Sequence, residues 1–205
     1  MSEEPESHKL KPPYDYSSRK GVLPISWEDF HGICKALAKA IQSYDPEVIL
    51  PVGRGGYYPG TLLAHMLQVE VYPIRLSRRI KDVKTYKHPR WLAEPPGLVR
   101  GMKTLIVDEI CGDGETIRMV EMKLRALGAK EIRSAVLYAH TWGVDTPDYI
   151  GLVSDALILN PWDREILTEG EFEFHPEYRE ALALQGTTPD PGMRIQANEI
   201  KLAKE

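Results

Sequence analysis

Thr104-Leu105-Ile106-Val107-Asp108-Glu109-Ile110-Cys111-Gly112-Asp113-Gly114-Glu115-Thr116 decides how the rest of the chain is read. Thr104 to Val107 is a short run of the kind that forms a buried strand. Two adjacent carboxylates, Asp108 and Glu109, follow it, and a polar, glycine-bearing turn is predicted over Asp108 to Glu115. Thr116 to Leu127 then reads as a helix closed by Gly128. Backbone amides of such a turn and of the helix N-terminus make an anion cradle, to which Thr116 adds a hydroxyl. Carboxylates repel phosphate, but they suit sugar hydroxyls and a hydrated Mg²⁺, which takes hard oxygen ligands and keeps several waters. One short loop thus serves sugar, phosphate and metal. An acidic pair by itself would cap a strand and the next helix. The complete order of strand, two acids, turn, Gly-x-Thr and helix favours the binding loop.

About fifty residues upstream lies a second glycine loop, Pro51-Val52-Gly53-Arg54-Gly55-Gly56-Tyr57-Tyr58-Pro59-Gly60. It follows an apolar strand, Val48 to Val52, and precedes a helix, Tyr58 to Leu67. Glycines let amides approach an anion, and Arg54 adds a permanent charge suited to phosphate oxygens. Before it, Ser26 and Asp29 have capping-box spacing. Trp27, Phe30, Ile33, Leu37, Ile41 and Tyr44 then line one helix face up to Pro46. Further strands are predicted at Val69 to Leu76, Ile132 to Ala139 and Ala156 to Leu159. The twice-repeated order β-loop-α-β implies an α/β fold, a mainly parallel, doubly wound sheet flanked by helices. Ligands in such sheets sit at the carboxyl ends of the strands, where both glycine loops fall.

Residues 77–101 change character. They hold Arg78, Arg79, Lys81, Lys84, Lys87, Arg90 and Arg100 without a clean period. An irregular basic stretch of this length reads as a solvated loop or as a lid that steers a polyanion and excludes water. Lys81, Lys84, Tyr86 and Lys87 are candidate lid residues. Residues 1–20 are expected to form a flexible arm, 21–165 the main domain with the lid at 77–101, and 166–205 a helical tail.

With 205 residues, the chain is long enough for one domain with a full core. No run of 18 apolar residues suggests a membrane span. The polar, acidic start from Met1 to Pro13 lacks the apolar core of a secretory signal. Cys34 and Cys111 make neither a disulfide framework nor a metal-ligand set, so a cytoplasmic setting is expected. The net charge of −4 argues against a nucleic-acid partner. Neither loop has the Gly-x-Gly-x-x-Gly spacing of a dinucleotide-binding dehydrogenase.

The acidic stretch resembles the phosphoribosyl-pyrophosphate motif of the type I phosphoribosyltransferases: strand, two acids, two variable residues, then commonly Asp-Thr-Gly-x-Thr. Asp108, Glu109, Gly114 and Thr116 match it. The resemblance implies that Asp108 and Glu109 hold the ribose hydroxyls and Mg²⁺. It also implies that Gly112, Asp113, Gly114, Glu115 and Thr116 hold the 5-phosphate, with Cys111 lining the phosphoribosyl-pyrophosphate site. Gly53, Arg54, Gly55 and Gly56 resemble the family's pyrophosphate loop, so a cis peptide is expected at Gly53–Arg54. Gly112 departs from the pattern, because purine enzymes usually have there an aspartate proposed as general base. Asp113 is the candidate to replace it, unless no protein base is needed. The implied catalytic set is Asp108, Glu109, Arg54 and Asp113.

Ser26-Trp27-Glu28-Asp29-Phe30, Arg54-Gly55-Gly56 and Pro161-Trp162-Asp163 resemble, in the same order, the bacterial xanthine-guanine phosphoribosyltransferases over roughly residues 22–165. That likeness implies a small hood at 141–163. Leu157 stands where an aromatic residue covers the purine, with Ile158 and Asp163 beside it. His140 stands where a lysine donates to the 6-oxo group, although a satisfied loop histidine is an equal reading. The implied reaction is transfer of ribose 5-phosphate from phosphoribosyl pyrophosphate to a nucleobase, a 6-oxopurine by resemblance. Pyrophosphate and a nucleoside monophosphate are the products, and a homo-oligomer, dimer or larger, is expected. The alternative is a non-catalytic regulator of the same fold that binds phosphoribosyl pyrophosphate or a nucleotide.

Overall fold

The computed structural model describes residues 19–80 and 83–190. Lys81, most of the expected arm and the end of the expected tail lie outside them. In chain order the elements are β1 (Val22–Pro24), α1 (Trp27–Ile41), β2 (Val48–Gly53), α2 (Tyr57–Leu67), β3 (Glu70–Val71), β4 (Ile74–Ser77), β5 (Arg79–Ile80) and β6 (Val83–Lys84). They continue with β7 (Arg90–Ala93), β8 (Lys103–Cys111), α3 (Glu115–Leu127), β9 (Glu131–Ala139), β10 (Tyr149–Val153), β11 (Leu157–Leu159), β12 (Glu165–Thr168), β13 (Glu171–Phe174) and α4 (Pro176–Leu184). Among the described residues, 28–155 form one compact unit, and 19–27 with 156–190 form another.

The first unit is built on a seven-stranded sheet of order β10-β9-β8-β2-β4-β7, with β3 also on β2. Every pairing is parallel except β4 with β7. Val48, Leu50 and Val52 project to the face where Val120 and Leu124 of α3 pack, with Ile74, Leu76 and Ile106 completing that core. On the opposite pleat, Gly60 of α2 lies on Pro51, and Ile33 of α1 lies on Gly151. Helices therefore cover both faces, and the fold is the doubly wound, mainly parallel α/β architecture that the repeated β-loop-α-β order implies.

Several elements differ from expectation for local reasons. The strand predicted over Val69 to Leu76 is broken into β3 and β4. The register Val48↔Glu70, Ile49↔Val71 and Val52↔Ile74 is continuous, which sets Pro51 opposite Pro73. The Tyr72 amide donates to the Ile49 carbonyl at 3.0 Å, and the next bond of this ladder would come from the amide of residue 51, which as proline has none, so the ladder lapses there. Segment 77–101 is not irregular throughout: β5 and β6 form a hairpin, and β7 extends the sheet antiparallel to β4. The strand predicted at 156–159 lies outside the main sheet, whose edge is instead β10. A glycine inside a strand ordinarily weakens it. Here a side chain at 151 would collide with Ile33 and with the Leu137 carbonyl, 2.8 Å from its Cβ, so only glycine lets α1 sit this close.

The second unit pairs β1 with β11 in parallel and β12 with β13 as a hairpin. Leu157, Leu159, Phe174, Tyr178, Ala181 and Leu182 form its core, with Val22 against them. The Tyr178 hydroxyl donates to Asp163 Oδ2 at 3.0 Å, and Arg164 donates to the Ile25 carbonyl. Residues 166–190 thus pack with 156–165 in one unit.

Candidate active site

Strand β8 outruns its neighbour on one side. Its pairing with β2 ends at Pro51↔Val107, while its pairing with β9 continues to Ile110↔Tyr138 and Cys111↔Ala139. Asp108 and Glu109 therefore stand on the strand itself, beyond the point where β2 leaves it, and not in the predicted turn. Both are half-buried. The Glu109 amide donates to Asp108 Oδ1 at 2.8 Å. Desolvation outweighs that bond and pushes the Asp108 carboxyl up to about 7.

Where β2 turns away, the glycine loop takes the vacated edge. The Gly56 amide donates to the Val52 carbonyl at 3.0 Å, and the Tyr57 amide to the Arg54 carbonyl at 3.1 Å. The Gly53–Arg54 peptide is cis, as expected. Tyr57 covers Gly53 with its ring and donates its hydroxyl to the Ile74 carbonyl at 3.1 Å. A Cβ on Gly56 would lie 2.5 Å from the Val52 carbonyl oxygen and 2.6 Å from that of Val107. A side chain on Gly55 would collide with the Glu109 carboxylate. The two glycines thus let the upstream loop lie directly against the acid pair, with Arg54 exposed at its rim. Among the described residues no group of three or more metal-ligating side chains exists. Two adjacent carboxylates fit Mg²⁺, which accepts one or two protein oxygens and fills its shell from water and substrate.

The turn that follows carries its own charge pattern. Gly114, at φ +75°, caps α3, and the Arg118 amide donates to its carbonyl at 3.0 Å. Asp113 Oδ1 accepts from the Glu115 amide at 3.0 Å. That bond, aided by Arg78 and Arg118, holds the Asp113 carboxyl below its usual range, which leaves it a weak base. Arg78 contacts Glu115 directly and approaches Asp113 Oδ2 at 3.4 Å. His88 Nδ1 lies 2.6 Å from Glu115 Oε1, and this bond is the main cause that lowers the Glu115 carboxyl. Arg118 donates to the Asp113 carbonyl at 2.6 Å and to Thr146 Oγ1 at 3.2 Å. A Cβ on Gly112 would meet nothing within 4 Å.

The connection after β9 backs this turn. The His140 amide donates to the Cys111 carbonyl at 3.0 Å, and the Cys111 thiol to the Gly143 carbonyl at 3.4 Å. His140 is buried, with Nδ1 2.8 Å from the Ser154 carbonyl. A carbonyl only accepts, so Nδ1 carries the hydrogen and Nε2 of the neutral ring is an acceptor. The imidazole stacks on Trp142 at 4.5 Å and 20°, and Trp142 is 57% exposed.

One unit thus brings together Gly53 to Gly56, Asp108, Glu109 and the turn from Cys111 to Thr116, with His140 beside that turn. Leu157 and Ile158 are buried residues of β11 in the other unit, which also holds Asp163. Sequence reasoning missed Arg78, His88 and Trp142. Arg78 and His88 sit inside the segment singled out for its charge, but their partners lie 37 and 27 positions away. The side chain of Lys84 lies outside the described residues.

Because burial penalises ionised Asp108, the folded chain holds that proton more tightly than the unfolded chain, where the carboxyl titrates near 3.8. This stabilisation is whole below about pH 4 and is lost as pH rises through about 7. In metal-free buffer, urea unfolding is expected to show stability declining across that window, and Asp108→Asn is expected to flatten the decline. An unchanged slope in the variant would place the responsible proton elsewhere.

No described helix is long and apolar enough to cross a membrane. Residues 26–168 match the phosphoribosyl transferase domain family. A xanthine-guanine phosphoribosyltransferase of Nitratidesulfovibrio vulgaris is 34% identical over 151 residues, covering 71% of this chain and 86% of the relative. Among solved structures, a purine phosphoribosyltransferase from Pyrococcus horikoshii superposes with a TM-score of 0.64 at 28% identity, over 73% of this chain and 99% of that one. The xanthine-guanine-hypoxanthine phosphoribosyltransferase of Helicobacter pylori shares the fold at a TM-score of 0.58 and 22% identity, over 69% and 91% of the two chains. The matched segment opens one residue before α1 and closes with β12, so it contains both loops and the sheet that aligns them, and the chain belongs to the phosphoribosyltransferase family.

Proposed function

We propose that this chain transfers ribose 5-phosphate from phosphoribosyl pyrophosphate to a purine of the 6-oxo class, releasing pyrophosphate. One observation carries the reading: the Glu109 carboxylate lies against Gly55, so a loop suited to pyrophosphate and a carboxylate pair suited to ribose and metal meet at one strand end. The amides of residues 112–116 other than that of Glu115, which Asp113 already engages, and the Thr116 hydroxyl take the 5-phosphate. Asp108 and Glu109 accept hydrogen bonds from the ribose hydroxyls, and Arg54 balances charge on pyrophosphate. Mg²⁺, held through Asp108 and Glu109, would supply further neutralisation of the leaving group. A ring nitrogen of the base forms the new bond to ribose C1 as the bond from C1 to the pyrophosphate oxygen breaks, and the proton that the imidazole ring of the base loses passes to solvent or to the departing pyrophosphate. With Gly112 in place of an aspartate and Asp113 held as a cap, positioning and charge stabilisation supply the catalysis. Both cysteines are free thiols, which suits action in a reducing cytoplasm, and the family likeness favours a homo-oligomer.

On the base side we place the 140–143 turn ahead of Leu157. Leu157 is 4% exposed within an apolar cluster, whereas Trp142 presents an exposed indole beside the loop turn. His140 Nε2, an acceptor in the neutral ring, donates to a 6-oxo group only when the ring is doubly protonated. Loss of the Trp142 ring removes a stacking surface of the kind that contributes ~1–3 kcal/mol per base elsewhere.

Calorimetry with Mg²⁺ present tests the main site: Asp108→Asn with Glu109→Gln is expected to stay folded and to lose measurable binding of phosphoribosyl pyrophosphate. Unchanged affinity would remove the assignment. For the base side, Trp142→Ala is expected to raise KM for guanine or xanthine about tenfold, leaving KM for phosphoribosyl pyrophosphate near its original value. Leu157→Ala is expected to lower thermal stability instead. The reverse pattern would return the base cover to Leu157.

A further inference from the structure

The 112–116 turn is unusual as a phosphate cradle because it carries two carboxylates, Asp113 and Glu115, on either side of Gly114. The Glu115 amide is already engaged by Asp113. A phosphate ester seated on the remaining amides would meet two like charges at close range, and unit charges a few ångströms apart repel appreciably even where water screens them. Cations from outside the turn answer this. Arg118 spends both terminal nitrogens on the Asp113 carbonyl and on Thr146. Of the two carboxylates, His88 bonds Glu115. Arg78, one residue past β4, reaches both carboxylates. Its side chain is 27% exposed and that of Glu115 26%, so the pair is partly withdrawn from solvent. An ion pair of this kind adds little to stability on its own. Its distinctive property is position: it ties the start of the basic segment to the turn that holds phosphate.

We propose that Arg78 is a positioning residue of the 5-phosphate site. It acts through Asp113 and Glu115, offsetting part of their charge and holding both carboxylates aside, and does not itself bind the phosphate. This rests on the proposed function above. The consequence is conditional: Arg78 is needed only while the two carboxylates are charged.

The test uses the full chain and calorimetry with two probes. Ribose 5-phosphate carries the 5-phosphate alone, and inorganic pyrophosphate with Mg²⁺ reports on the other loop. Arg78→Gln is expected to weaken ribose 5-phosphate about tenfold, as for one unbalanced charge at short range, and to leave pyrophosphate binding and thermal stability unchanged. Asp113→Asn with Glu115→Gln is expected to bind ribose 5-phosphate at least as tightly as the parent chain. Adding Arg78→Gln to that background is expected to cost clearly less affinity than it does in the parent chain, since no charged carboxylate then remains for Arg78 to hold aside. A tenfold loss persisting in the neutralised background would show that Arg78 acts on the phosphate by its own charge and would overturn the proposal. So would an Arg78→Gln variant that binds like the parent. A parent chain that binds pyrophosphate but no ribose 5-phosphate would bring down the phosphate assignment itself, and this inference with it.

Discussion

The constraint on which the site depends is the fit of Gly56 between two strand-end carbonyls. A methyl group there would press on the oxygens of Val52 and Val107 and reach within 3.0 Å of the Asp108 Cα. Contacts this short with backbone cannot be relieved by a side-chain rotation, so anything larger must separate β2 from β8. That separation would move the glycine loop off the acid pair, and the juxtaposition of Gly55 with Glu109 would go with it. The parallel sheet supplies the rest of the geometry. Because the pairing of β2 with β8 ends at Val107 and β9 follows β8 to Cys111, the acids are held on one edge by a strand and left open on the other to the loop.

Electrostatics divides this edge into two kinds of carboxylate. Asp108 is dominated by desolvation and held up, near neutrality, until a cation or a set of hydroxyls compensates it. Asp113 and Glu115 are held down by an amide, a histidine and Arg78. The first kind would gain from a ligand that brings charge or donors. The second kind is already satisfied by the protein. Four acidic residues within eight positions therefore do not act as one cluster, and sequence proximity alone cannot sort them.

What the chain discloses without coordinates follows from the range of the interactions. Strand β2, helices α1 to α3 and the core of β8 are written in local periodicity and in Gly128, so they are legible. The two loops are legible because chemistry and position coincide at strand ends. The break at Pro73 becomes visible only once Pro51 is known to be its neighbour across the ladder. β10 is hidden because the glycine that looks like a breaker answers to a helix from elsewhere in the unit. The hairpin of β12 and β13 is hidden in a segment whose charge suggests surface. Arg78 with Glu115, and His140 with Ser154, join distant positions, and no spacing rule predicts them. The doubly protonated requirement at His140 likewise depends on a carbonyl that only the fold brings near.

Pyrophosphate release from phosphoribosyl pyrophosphate is the most direct measurement, with Mg²⁺ and, in turn, guanine, xanthine, hypoxanthine and adenine. The account predicts release that requires a base, is greatest with a 6-oxopurine, and yields one nucleoside monophosphate per pyrophosphate. Release no faster than the base-free control with all four bases, from a chain that still binds phosphoribosyl pyrophosphate, would contradict it.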